Sequence, residues 1–376
     1  MKRSLMQFLI AAAVVVCVKT TAAAPDVAAP RYGAISMAAW SPDGGNIAFV
    51  YAMGGDTEIY IVEADGRGLK NVSMNEAADT NPVWRPDGRA LLFSSRRGGQ
   101  YDICRVDVQG GGRVSTPKKI TRSKADDLWP AWSPDGGRIA YCNYEKGYPL
   151  VYIIGSNGGA ARLFHDKRAC HPSFSSDGKK LALTSGGDLI VFKLEEEAAP
   201  GGESGGEKEK NITETLIEGN MVDDTLPVWA PRGNKIAFVG RYEAYSSEIY
   251  TIGASGKKVR RITDNLFEDL YPRWSPDGKG VVYSAFVGGR PPEIFVSDPE
   301  SPEKERLTDN HVVELHPCFS PDGKNILYVR RSGGRDELYI MDAKGKNQRP
   351  FLGEKEKEKL PTVTGLWKEK EEARKK

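Results

Sequence analysis

Five acids recur at one position of a repeated phrase. Asp79, Asp127, Asp224, Asp269 and Glu314 each stand three residues before a proline. Ala169 interrupts the series and Glu358 extends it. Carboxylates repeated at one height of a ring would sum their fields at one mouth of a central channel, where a basic peptide segment or a cation would bind. The alternative, which carries more weight, is local: an acid at a strand entry accepts hydrogen bonds from nearby backbone. A second series stands one residue before the same prolines: Asn81, Trp129, His171, Leu226, Tyr271 and His316. In a ring these side chains would line the channel.

His171 and His316 are two of only four histidines, and imidazole is a common metal ligand. They fall in the fourth and seventh of seven repeats, nearly opposite each other in a ring. Metal–imidazole bonds of about 2.0–2.1 Å are too short to bridge a wide channel. No third ligand is evident, so no metal and no other cofactor is expected. Gly202-Glu203-Ser204-Gly205-Gly206 matches a nucleophile pattern. It lies in a low-complexity stretch without the strand–turn–helix that a strained elbow needs, so it is a chance match. No phosphate-cradling loop stands between a strand and a helix. No catalytic residue is therefore assigned, and the sequence favours binding over catalysis.

The elements that must position these side chains are organised by one phrase, clearest at Trp132-Ser133-Pro134-Asp135-Gly136. Proline fixes φ at the second turn position, Asp tolerates the third and Gly takes the fourth. Copies start at Trp40, Trp84, Trp132, Phe174, Trp229, Trp274 and Phe319, with gaps of 44, 48, 42, 55, 45 and 45 residues. An apolar run follows each turn, such as Ile139-Ala140-Tyr141-Cys142. A Glu-Ile-Tyr type phrase comes next, as at Glu58, Glu248 and Glu293, and a strand ending on Thr closes several repeats. Short strands in a period near 45 predict an all-β fold, a seven-bladed β-propeller of four-stranded antiparallel blades. Lys359-Leu360-Pro361-Thr362-Val363 repeats the inner-strand proline. It is expected to lie beside the first blade and close the ring, which protects a sheet edge.

The propeller is expected over residues 34–367, with residues 368–376 a charged, disordered tail and Glu195 to Asn211 a solvent loop in blade four. Residues 1–24 read as a secretory signal peptide: Lys2 and Arg3, an apolar run over 8–18, then small residues at Ala22-Ala23-Ala24. The cut is placed between about Thr21 and Ala29. Its apolar run is short for a membrane span, so no span is expected after cleavage. Removal of Lys2, Arg3 and Lys19 leaves 50 basic residues against 51 acids. That balance gives no footprint for nucleic acid. The chain is expected to be a monomer, periplasmic or secreted. Cys104, Cys142, Cys170 and Cys318 remain. Four buried free thiols are favoured, and Cys142 with Cys170 is the pair to test for a disulfide.

These phrases resemble the TolB-like β-propeller repeat. The resemblance rests on Trp132 to Gly136, Ser94-Ser95-Arg96-Arg97-Gly98-Gly99, Glu58-Ile59-Tyr60 and Asp65-Gly66, and it covers nearly the whole mature chain. It implies a periplasmic protein that works by contact with envelope proteins, with a peptidoglycan-associated lipoprotein as the implied partner. The family's namesake carries an α/β domain before a six-bladed propeller. Here seven repeats are read, and only about ten residues separate the expected cleavage site from the first. The His-Pro-x-Phe phrases at 171 and 316 also resemble those of propeller-fold lyases acting on pectin fragments. They imply the alternative function, an oligogalacturonate-lyase-like enzyme with a His-lined channel. A regulatory propeller related to the gate of prolyl oligopeptidases is a third reading.

Overall fold

The computed structural model describes residues 33–361 apart from 111, 195–212, 216–224, 242–245 and 302. It is a seven-bladed propeller. Each sheet takes its strands from consecutive chain, in the order inner to outer, with antiparallel pairing throughout. The innermost strands are Ala34–Trp40, Asp79–Trp84, Asp127–Trp132, Cys170–Phe174, Thr225–Trp229, Asp269–Trp274 and Val313–Phe319. Blade two carries a fifth short strand, Lys118–Lys119, paired to its third strand.

The repeated phrase makes the turn between the first and second strands. All seven of its glycines have positive φ, from 66° at Gly136 to 83° at Gly233, a region that carries little penalty only without a Cβ. In blade three the Ser133 hydroxyl accepts from Arg138 N at 2.9 Å and donates to Asp135, whose carboxylate also accepts from Gly137 N. These bonds hold the Asp135 carboxyl below its ordinary range, the serine first and the glycine amide second.

The core is divided into seven clusters, each lying between two neighbouring blades. Both faces of every blade are therefore covered. This is why the second strands read as continuous apolar runs: Leu91, Leu92 and Phe93 are all fully buried. Four of the aromatic residues that end the innermost strands link blades by a hydrogen bond. The indole N–H groups of Trp84, Trp132, Trp229 and Trp274 donate to the backbone carbonyls of Ala39, Val83, Ser173 and Val228 on the preceding blade, at 2.9–3.3 Å.

Phe174 has no such N–H. At that junction, between blades three and four, a disulfide joins Cys142 to Cys170. The expectation of four free thiols is corrected here for that pair. Cys142 ends a second strand and Cys170 begins the neighbouring innermost strand, with Cα atoms 5.5 Å apart, within the span of a disulfide. Cys104 and Cys318 are free and buried.

Blades seven and one meet through a shared core that includes Leu360. Ile35 N donates to Asp336, Leu69 N to Glu356 and the Tyr51 hydroxyl to the Pro361 carbonyl, at 2.9–3.0 Å. The C-terminal segment thus lies beside blade one, reached through one helical turn, Glu354–Lys357. Among the described residues it acts as a strap and adds no strand to the first sheet. The expected signal peptide, the Glu195–Asn211 loop, Gly202–Gly206 and the tail lie outside the described residues.

Candidate functional site

Each innermost strand carries a β-bulge, and the second series of sequence-predicted residues sits at it. The pairing register shifts between Thr80 and Val83, Leu128 and Ala131, Leu270 and Arg273, and at the matching place in the other blades. Asn81, Trp129, His171, Leu226, Tyr271 and His316 have φ from 51° to 60°. Met37 of blade one joins them at 52°. They account for seven of the ten non-glycine positive-φ residues described. A left-handed conformation costs an L-residue roughly 1–2 kcal/mol. The bulge aims one side chain per blade away from the ladder. The proline that follows has no N–H to leave unpaired there.

These side chains meet from blade to blade along the inner wall. The Trp129 and His171 rings are 4.9 Å apart, edge to face. Tyr271 and His316 are 3.9 Å apart. The Asn81 amide lies 3.8 Å from the Met37 sulfur. Each histidine therefore partners an aromatic residue of the preceding blade, and the two are not brought together. Burial pushes the His171 ring down to about 4 and, with the Arg273 and Arg331 charges added, the His316 ring down to about 3. Both imidazoles are neutral at pH 7. Among the described residues no three His, Cys, Asp or Glu side chains converge as a metal site.

The first series, expected near one channel mouth, is buried within the blades. Asp79, Asp127, Asp269 and Glu314 are each 0% exposed; Asp224 lies outside the described residues. Asn75, Asn265 and Asn310 donate their side-chain amides to Asp79, Asp269 and Glu314 at 2.6–3.0 Å, and Asn143 does so to Asp127 at 2.7 Å. A cation or peptide would meet these carboxylates only after displacing those amides. Sequence reasoning missed their second partners. Glu58, Asp102, Glu248 and Glu293, on the third strand of the preceding blade, are close enough to press charge on the first series or stand at the equivalent position. The signal was present as a constant offset of 21 residues from Glu58 to Asp79, Glu248 to Asp269 and Glu293 to Glu314. The recurring Ser or Thr has a role here too. Ser73, Thr121, Thr263 and Thr308 accept from the backbone N–H that follows each third-strand acid, at 2.8–2.9 Å.

Burial, countered in part by these bonds, raises Glu58 to about 7, Asp127 to about 6 and Asp269 to about 7. For each of these three, burial is the largest cause and the carboxylate across the blade interface adds to it.

Arg273 and Arg331 were also missed. Arg273 follows the bulge of blade six. It is exposed to water yet ringed by protein, the situation of a side chain inside a channel. A wide surface groove lies elsewhere, on the turn face of blades five to seven. Its mixed lining of Arg232, Asp277, Lys279, Asp298, Lys304 and Asp322 focuses no single charge.

A family model described as the TolB beta propeller domain matches residues 5–116 and 209–365, well over half of the chain. The chain belongs to the TolB beta-propeller family. No curated protein sequence matches it. Among solved structures, this TolB-like propeller is similar to TolB from Acinetobacter baumannii, with 19% identity and a TM-score of 0.51 over 83% of this chain. The chain spans 64% of that TolB's length. It is similar to an oligogalacturonate lyase in complex with manganese, with 14% identity and a TM-score of 0.56 over 85% of each chain. It is also similar to the β-propeller domain of the Trilobed protease from Pyrococcus furiosus, with 14% identity and a TM-score of 0.62 over 86% of this chain and 98% of that one. At these identities the likeness shows the fold alone. Propellers of this fold thus occur in a TolB, in a lyase and in a protease.

Proposed function

We propose that this chain is an exported, non-catalytic TolB-like propeller that binds protein partners of the cell envelope through its faces and channel mouth. The observation that carries this reading is the ring of seven left-handed bulges. The backbone is repeated in every blade, while the side chains it presents are all different in kind except for the two histidines. Strain retained at equivalent positions with varied side chains fits recognition by contact. The disulfide between blades three and four supports an oxidising compartment. Among the described residues no helix is long and apolar enough to cross a membrane, which fits export with the first 24 residues as leader. The channel-mouth acids enter this reading as parts that fix the loops around the mouth.

Affinity capture from envelope extract, with the mature chain as bait, tests the proposal. Recovery of a peptidoglycan-associated lipoprotein is the expected result. Failure to retain any envelope protein, with turnover of an oligosaccharide by the purified chain, would sink it. The second reading is a propeller enzyme acting on oligosaccharide, favoured by His171 and His316 standing on the inner wall. It requires stoichiometric Mn²⁺ or Zn²⁺ in the purified protein and loss of that metal in His316→Ala.

A further inference from the structure

We propose that the channel wall formed by blades six and seven is a carboxylate-binding site anchored by Arg273. The proposal goes beyond the docking of a protein partner and does not depend on it. Three partly enclosed arginines of blades six and seven are paired: Arg330 with Glu314, Arg331 with Asp336 and Arg306 with Glu293. Arg273 differs from these three. Among the described residues it makes no ion pair and no hydrogen bond. Burial holds its guanidinium below the ordinary range, and the neighbouring Cys318 is the one group that offsets this. Its side chain is exposed to water inside a ring of protein, so its guanidinium is open to an anionic ligand there.

The surroundings supply the remaining contacts. Tyr271 stands two residues before Arg273, and its hydroxyl has no hydrogen-bond partner among the described residues. Its ring packs at 3.9 Å against His316. Arg331 stands close enough to act on both Tyr271 and His316, with its own charge met by Asp336. The series acids are turned into the blades and repel nothing here. A guanidinium fork, a free phenol and an imidazole together fit a planar carboxylate, because the fork donates two parallel bonds to its two oxygens. The carboxylate is that of a small organic acid or the end of a peptide chain.

Calorimetric titration of the mature chain at low salt, with citrate as one probe and a tripeptide with a free C-terminus as the other, tests the site. The amidated tripeptide distinguishes the two sources: loss of binding on amidation assigns the chain end, and binding of citrate alone assigns the small acid. Arg273→Gln is expected to weaken the bound probe at least tenfold, and Arg273→Lys less, since charge survives without the fork. Neither substitution is expected to lower the unfolding midpoint, because Arg273 holds no structural partner. In Arg273→Gln the His316 ring, followed by NMR, is expected to titrate at higher pH than in the wild type. Equal binding by the wild type and Arg273→Gln, or no binding of either probe at millimolar concentration, overturns the proposal.

Discussion

Replacing Cys142 and Cys170 together with serine is expected to lower the unfolding free energy by about 3–4 kcal/mol. The bond closes a loop with a sequence separation of 28, and cross-linking a loop of that length removes about this much denatured-state freedom. The position adds to the expectation. Blades three and four meet where Phe174 replaces the Trp whose indole links other blades, so that junction has one hydrogen bond fewer. Urea unfolding of the oxidised protein, the reduced protein and the double serine variant measures it. Equal stability in all three would show that the junction holds through its apolar core alone.

The second large effect concerns pH. Asp269 is buried, beside Glu248 and bonded to Asn265, and its carboxyl is pushed up from 3.8 to about 7, first by burial and then by the Glu248 charge. A carboxyl raised in the fold contributes stability that is complete below its unfolded value and lost as pH rises through its folded one. The wild type is therefore expected to lose roughly 2–4 kcal/mol relative to Asp269→Asn between pH 4 and 7.5. That is about 1.4 kcal/mol per unit, with the lower figure allowing for a shift shared with Glu248. Asparagine keeps the shape and still accepts from Asn265. The turn acids Asp135, Asp177, Asp277 and Asp322 are held low by their serines and amides. They work in the opposite direction, so the difference between the two proteins is the quantity to follow. Parallel stability profiles across this range would mean that the Asp269 carboxyl is not raised by the fold.

The period of the aromatic–turn phrase was enough to read the blades, because every turn needs glycine at the same φ and every second strand needs apolar residues on both faces. The place of Asn81, Trp129, His171, Leu226, Tyr271 and His316 on the innermost strands is also legible, from the proline that follows each. Met37 was missed because Ala38 stands where that proline should be. The register of the acid series is legible in the sequence, and the side chains around it are not. Its partners lie 21 residues upstream on another blade, and one sequence shows no contact between blades. Arg273 was passed over for a related reason. A lone arginine in a strand reads as a solvated edge, and only the closed ring places it where no carboxylate of the described residues pairs with it. The disulfide was weighed as a pair worth testing. Its formation depended on how closely two blades approach at Phe174, which spacing does not reveal.

The account rests on side chains held on left-handed bulges for contact with a partner, at a cost in backbone strain. Glycine at those positions removes both the strain and the contact. The double variant Trp129→Gly with Tyr271→Gly, compared with the wild type in capture from envelope extract and in urea unfolding, tests this directly. The predicted result is an unfolding free energy within about 2 kcal/mol of the wild type, relief of strain offsetting the lost ring contacts, together with loss of the captured partner. Full retention of the partner by the variant would contradict the account.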